Sequence, residues 1–292
     1  MSDFQARGVF FEGRKTTVLN VLDNPRLCIV QSGDTLTNYN EWDESGSFGG
    51  KGVLATTISC RVFEFLSRHG VPVAYIQRHL LNSFVAKNCT IIPVVVAVRS
   101  HAVGSYLQRH ESYIPDRGEM FHRFHEPIVE IFLKTSGMGL IYNGKRIIVG
   151  LTPQLGEANP LMQNAGLGKW ELHAHRKDYP YDIRFHQSQI GLDDSKVSDI
   201  KRIAAQSFDL LVKAWQSLDC TLLDCRFEFG VAPSGKVVLV DVICNDSWHL
   251  LSKANEELSI FALGDSQPIA LVQDNYQIVC ALTEPSSHLD FQ

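Results

Sequence analysis

The sequence predicts a mixed α/β (α+β) fold, built as one two-lobed domain or as two closely packed ones. Three observations predict it. Two segments carry apolar residues at helical spacing, several others read as short apolar strands bounded by turn signals, and 292 residues at 45% hydrophobic content can bury a full core. The first helix is expected from Val53 to His69, where Leu54, Ile58, Val62, Phe65 and Leu66 recur along one face and Gly70 and Pro72 supply the stop. The second is expected from Val197 to Trp215, with Ile200, Ile203, Ala204, Phe208, Leu211, Val212 and Trp215 on its apolar stripe.

The strands follow from local pattern. Val18 to Val30 holds two apolar stretches around Asp23-Asn24-Pro25 and reads as a hairpin. The polar, glycine-rich run GDTLTNYNEWDESGSFGGKG after it has no apolar periodicity and reads as a mobile or functional loop. FVAKN and IIPVVVAVRS read as strands, the second apolar on both faces. Residues 135–190 are glycine-rich and read as an irregular, elaborated insertion. TLLDCRFEFG and KVVLVDVIC, separated by VAPSG, read as a hairpin of two buried strands. The tail from Glu256 is mixed in character, and EPSSHLDFQ is expected to fray.

A formal net charge of -5 leaves no basic field to track a phosphate backbone, so nucleic acid is not expected as a partner. MSDFQARGVFFEGRK lacks the apolar stretch of a signal peptide, and no run reaches the roughly 18 apolar residues of a membrane helix. The expectation is a cytoplasmic protein with no membrane partner. The seven cysteines form no CxxC pair and read as reduced core residues. His173 and His175 lie close together but lack a third ligand for a metal.

Three constellations could carry chemistry. Alternation along LLDCRFEFG puts Asp224, Arg226 and Glu228 on one face of a strand, and Asp241 interrupts the partner strand. Unpaired carboxylates are costly to bury, so this face must meet a cation, an arginine network or a polar ligand. A salt-bridge cluster centred on Arg226 and a magnesium site of Glu228 with Asp241 both satisfy that demand. The second constellation is RSHAVGSYLQR, where Arg99, Gly104, Ser105 and Arg109 follow a buried strand in an arrangement suited to gripping an oxyanion. The third is GRKTTV, which could lay the Gly13 amide, Arg14 and Lys15 over phosphates; no Walker A or GxGxxG pattern is present.

In this order the segments resemble the SAICAR synthetase family, from about Phe11 to Leu251. The resemblance rests on Gly13-Arg14-Lys15-Thr16, Asp34-Thr35, Lys51-Gly52-Val53-Leu54, Arg99 through Gly104-Ser105 with Arg109, Phe132-Leu133-Lys134, and Leu222 through Gly230 with Asp224, Arg226 and Glu228. It implies a two-lobed fold with ATP in the cleft between an N-terminal ATP lobe, residues 1–92, and a C-terminal lobe, residues 93–292, that holds the substrate and metal site and an insertion at about 135–180. It further implies ATP and Mg²⁺ as cofactors, a small-molecule nucleotide substrate, and a homo-oligomer as a possible assembly. Glu228 and Asp241 would hold the metal. Gly13, Arg14, Lys15 and Lys134 would meet the phosphates, with Lys87 near adenine. Lys134, Arg226 and Asp224 are the catalytic candidates. Arg99, Gly104, Ser105, Arg109, Asp246 and His249 would face the ribotide. The family's His-Asp-Pro motif falls on Asp178-Tyr179-Pro180 by distance to the following helix, or on Ala158-Asn159-Pro160 by distance from Lys134; the first makes Asp178 a substrate candidate.

The departures are specific. Thr16 stands where the family has a second lysine, Val95 and Val242 where it has glutamates, and His249 where it has an arginine. The changes at Val95, Val242 and His249 gather on the acceptor side, whereas Thr16 falls in the glycine-lysine turn. What the resemblance implies is therefore an ATP-dependent carbon–nitrogen ligase on an imidazole or purine ribotide with a changed acceptor, such as one in coformycin- or pentostatin-type nucleoside biosynthesis. A nucleotide-binding protein that has lost the ligase chemistry is the alternative.

Overall fold

The computed structural model describes residues 4–12, 15–36, 46–115, 120–135, 139–148, 159–174, 180–260 and 268–284. In chain order the elements are β1 (Ala6–Glu12), β2 (Thr16–Val21), β3 (Leu27–Ser32), α1 (Lys51–Arg68), β4 (Tyr75–Leu80), β5 (Ser83–Lys87), β6 (Thr90–His101), α2 (Ser105–Arg109), β7 (Arg123–Leu133), β8 (Leu140–Tyr142), β9 (Lys145–Ile148), β10 (Leu161–Gly166), β11 (Lys169–His173), β12 (Pro180–His186), α3 (Asp194–Ser217), β13 (Thr221–Val231), β14 (Val237–Val240), β15 (Trp248–Leu251) and α4 (Ile269–Leu282). The mixed α+β class is as the sequence predicts. The chain divides into two compact units: Met1–Thr90 with Asp209–Leu222 and Gly230–Gln292, and Ile91–Phe208 with Leu223–Phe229.

The first unit is organised on an antiparallel sheet in the order β1-β2-β3-β5-β4. Helix α1 packs against β3, β4 and β5, with Phe63 stacked on Tyr75 and edge-on to Phe84. Of the positions read in the sequence, Ile58, Val62, Phe65 and Leu66 are buried and Leu54 is half-buried, although the helix begins two residues earlier, at Lys51. Helix α4 lies against α1, where the Arg61 guanidinium donates to the Cys280 carbonyl at 2.6 Å and to Thr283 Oγ1 at 3.1 Å.

In the second unit the strands run in the order β12-β11-β10-β7-β6-β13. β6 carries Val94, Val96, Ala97 and Val98, all fully buried, because both of its edges are paired and both faces covered.

Three expectations are corrected. Residues 135–190 were expected to be irregular, yet the described part holds β8 to β12. These strands escape pattern reading because they are short and half-exposed, and because the β10–β11 turn places Leu167 (φ 50°) and Gly168 (φ 72°) where a two-residue primed turn normally shows Asn-Gly. The second hairpin strand was expected to run on through Asp241, but β14 stops at Val240 and Asp241 sits in the left-handed region at φ 65°. The mixed tail contains α4, whose apolar stretch lacks a clean polar face. All seven cysteines are free; five are buried as core residues, whereas Cys89 and Cys280 are half-buried. Among the described residues no helix is long and apolar enough to cross a membrane.

Candidate active site

The second unit gathers its buried charges on one sheet face. Strand register sets Glu130 of β7 opposite Ala97 of β6, two residues from Arg99 along the same face. Arg99 is fully buried. Its Nε donates to Glu130 Oε2 at 2.9 Å, one terminal nitrogen donates to Asp224 and to the Val103 carbonyl, and the other donates to Ser105 Oγ at 3.2 Å. Arg109 donates to the remaining Glu130 oxygen and lies over the rings of Tyr106 and Phe132. Burial disfavours the Arg99 charge, but Asp224 and Glu130 more than offset it and keep the group cationic. The alternative of a buried salt-bridge cluster is thus present, centred on Arg99 rather than on Arg226. Arg226 is half-buried, and Gly104 (φ 55°) opens the short helix α2 that presents Ser105.

At the exposed end of the same strand face, Lys134 Nζ reaches both oxygens of Glu228, at 2.7 and 2.5 Å. The lysine side chain is 46% exposed and the glutamate 19%. Such a pair contributes about 0–1 kcal/mol to stability and opens at little cost, so it is suited to exchanging partners when a ligand arrives. Val95, standing where the resemblance called for a glutamate, packs instead against the apolar cluster of Ala97, Phe132 and Leu161.

The first unit holds a second cluster. Asp246 Oδ2 accepts from Lys15 Nζ at 2.7 Å and Lys51 Nζ at 3.1 Å, and its Oδ1 accepts from the Tyr276 hydroxyl. Burial opposes ionisation of Asp246, yet the two lysines hold its carboxyl well below the usual carboxylate range. Lys51 opens α1 with its side chain 2% exposed, at the positive end of the helix dipole and with no acidic residue in the first turn. A buried cation there must be stabilised from outside the helix, which Asp246 does. Asp34 caps the same helix from the loop, accepting from Gly50 N at 3.2 Å and Gly52 N at 2.8 Å. Nearby in sequence, His249 is buried on β15. Burial pushes the carboxyl of Glu257 up, against the pull of His249 and of the donors from Ser259 and Leu250.

The remaining sequence candidates are dispersed. Lys87 Nζ donates to the Val73 carbonyl at 3.0 Å, and Asp241 follows β14 at its left-handed turn. Gly13, Arg14 and Asp178 lie outside the described residues. Glu130, Lys51 and Tyr276 were not among the sequence candidates. Lys51 carried a signal, a lysine-glycine step opening a helix after a polar loop. Tyr276 sits in the tail, where no pattern drew attention to it.

A family model described as SAICAR synthetase matches residues 9–140 and 172–267. The chain belongs to the SAICAR synthetase family. A bifunctional phosphoribosylaminoimidazole carboxylase/phosphoribosylaminoimidazole succinocarboxamide synthetase of Drosophila melanogaster is 27% identical over 86% of the chain. The chain spans about half of that relative's length. In fold it is similar to phosphoribosylaminoimidazole-succinocarboxamide synthase from Ehrlichia chaffeensis, with a TM-score of 0.71 at 20% identity over 94% of this chain and 98% of that one. It is also similar to a type-2 SAICAR synthetase in complex with ADP, with a TM-score of 0.69 at 20% identity over 94% and 97% of the two chains. In this SAICAR synthetase family member, the arginine–glycine–serine segment and the acidic β13 face meet in one buried network, whereas Lys15 and Asp246 meet in another.

Proposed function

We propose that the chain is an ATP-using ligase that phosphorylates a carboxylate on an imidazole or purine ribotide and then joins that carbon to an amine. The exposed Lys134–Glu228 pair, set at the end of an otherwise committed charged face, is the observation that carries the reading. Family membership and the ADP-bound structural relative support it.

In the first step a carboxylate oxygen attacks the γ-phosphorus, the bond to the β-phosphate oxygen breaks and ADP leaves. In the second the amine nitrogen attacks the acyl carbon, phosphate departs and the nitrogen loses a proton. Such catalysis is mostly positioning, charge neutralisation and exclusion of water. Glu228 and Asp241 offer hard oxygen donors, and no group of three metal-binding side chains forms among the described residues. Carboxylates of this kind suit magnesium, which takes one or two of them and completes its shell with phosphate and water. When bound, the ion would neutralise charge on the phosphoryl group being transferred. Lys134 would release Glu228 and turn to a phosphoryl oxygen, and Lys15 would meet the nucleotide phosphates. Arg99, with its donors directed at Glu130, Asp224 and Ser105, would act by fixing Ser105 and Asp224 in place for the ribotide.

The acceptor side is the part we read as changed. His249 is buried where the family carries a guanidinium, and an imidazole does not offer an oxyanion the bidentate fork of a guanidinium. Val95 is absorbed into an apolar cluster, and the Val242 side chain offers no oxygen. A ribotide other than that of purine synthesis, of the kind used to rebuild the ring in coformycin- or pentostatin-type nucleosides, would meet such a site. Thermal unfolding tests the nucleotide half of the proposal. Mg·ADP at one hundred times its Kd should stabilise the chain by about 2.7 kcal/mol, and Glu228→Gln should remove most of that gain. An unchanged melting curve at millimolar nucleotide would overturn it.

A further inference from the structure

The Asp246 carboxylate is already filled by protein groups. Two ammonium groups share Oδ2, and the Tyr276 hydroxyl takes Oδ1. Tyr276 is fully buried, meets Phe48 edge-on at 5.8 Å between ring centroids, and has the Lys51 ammonium 5.7 Å from its ring. Among the ion-paired members, Lys51 is 2% exposed and Asp246 10%, while Lys15 is 25% exposed. Two ammonium groups share this one carboxylate, and Lys15 is the more solvent-facing of the two.

We propose that Tyr276 and Lys51 are positioning residues that hold Asp246 as a fixed counter-ion, so that Lys15 presents its ammonium in register to a phosphate oxygen of the nucleotide. This rests on the nucleotide reading given above and deepens it. It also reassigns Asp246, which the family resemblance placed against the ribotide. Asp246 acts through Lys15, and the α4 tyrosine, which the resemblance to the family does not extend to, enters the nucleotide site by one hydrogen bond. The physical logic is preorganisation. A lysine on a four-carbon stem loses rotamer freedom when it grips a phosphate, and a carboxylate locked from behind removes part of that cost before the ligand arrives. Lys51 keeps Asp246 ionised in a buried setting, and Tyr276 fixes the rotation of the carboxylate so that Oδ2 faces Lys15.

The test is a double-mutant cycle on the full chain, read as the Kd of Mg·ADP by calorimetry. Tyr276→Phe keeps the ring and its contacts and removes only the hydroxyl; it should weaken ADP about tenfold, the value of a hydrogen bond to a charged group. Lys15→Ala should weaken ADP more. The double variant should bind like Lys15→Ala alone, because the tyrosine has nothing left to position. Melting curves separate this from simple destabilisation, and Asp246→Asn, which keeps the side-chain shape, should reproduce the Tyr276→Phe loss even where its fold is intact. Additive losses in the double variant, or unchanged ADP binding in Tyr276→Phe, would overturn the positioning inference while leaving the nucleotide reading standing. A wild-type chain that binds no ADP would overturn both.

Discussion

Asp224→Asn isolates the buried network of the second unit. Asp224 is 1% exposed and Arg99 fully buried, so removing the aspartate charge leaves a guanidinium in the interior with one of its two carboxylates gone. Breaking a buried pair by deleting one partner costs about 3–5 kcal/mol. Glu130 remains on Arg99 Nε, which places the expected loss near the lower end, at about 3 kcal/mol. At roughly 2–4 °C per kcal/mol for a chain of this size, the melting midpoint should fall by about 6–12 °C. Lys134→Ala supplies the internal comparison. Its ion pair with Glu228 is 46% exposed on the lysine side, and its loss should cost no more than about 1 kcal/mol. Both variants can be followed by circular dichroism against temperature and by urea titration. A shift for Asp224→Asn no larger than that for Lys134→Ala would refute the reasoning that Arg99 depends on this partner.

Two further outcomes follow from local geometry. A Cβ at Gly52 would lie 2.4 Å from the Ser32 carbonyl oxygen, whereas one at Gly49 would meet nothing, so Gly52→Ala should lower the melting midpoint markedly and Gly49→Ala should not; equal effects would contradict the close approach of α1 to β3. The folded chain binds a proton on Glu257 more tightly than the unfolded chain does, so its contribution to stability falls as pH climbs from about 4.3 through the folded pKa and is a constant penalty above it. Glu257→Gln should therefore raise the midpoint at pH 7.5 and show no gain at pH 4. A gain that persists at pH 4 would show that the effect is not the carboxylate charge.

The core of this fold was legible where a single period dominates. Helices α1 and α3 and strands β3, β5, β6 and β13 repeat apolar residues at one spacing over enough positions to be read directly. Strands β10 to β12 alternate weakly and carry a leucine at a left-handed turn position, which no turn preference predicts. By contrast Asn143-Gly144, with φ of 50° and 72°, is the primed-turn signal joining β8 to β9 and stood in the sequence unread. In the site, the polar residues inside apolar strands were legible because burying them demands a partner. Their partners were not. Which cation meets Asp224 depends on strand order, and sequence alone named Arg226 where the fold supplies Arg99. Tyr276 reaches Asp246 from a helix 30 residues further along the chain, a contact set by tertiary packing alone.

The central claim is an ATP-using ligase of the SAICAR synthetase family with a changed acceptor. Turnover of carboxyaminoimidazole ribotide with aspartate and Mg·ATP, measured together with Mg·ADP binding on the same purified chain, tests it most directly. ADP should bind, Glu228→Gln should abolish most of this binding, and SAICAR should form slowly or not at all. Rapid SAICAR formation would contradict the changed acceptor and make the chain a synthetase of ordinary purine synthesis; absent nucleotide binding would contradict the ligase itself.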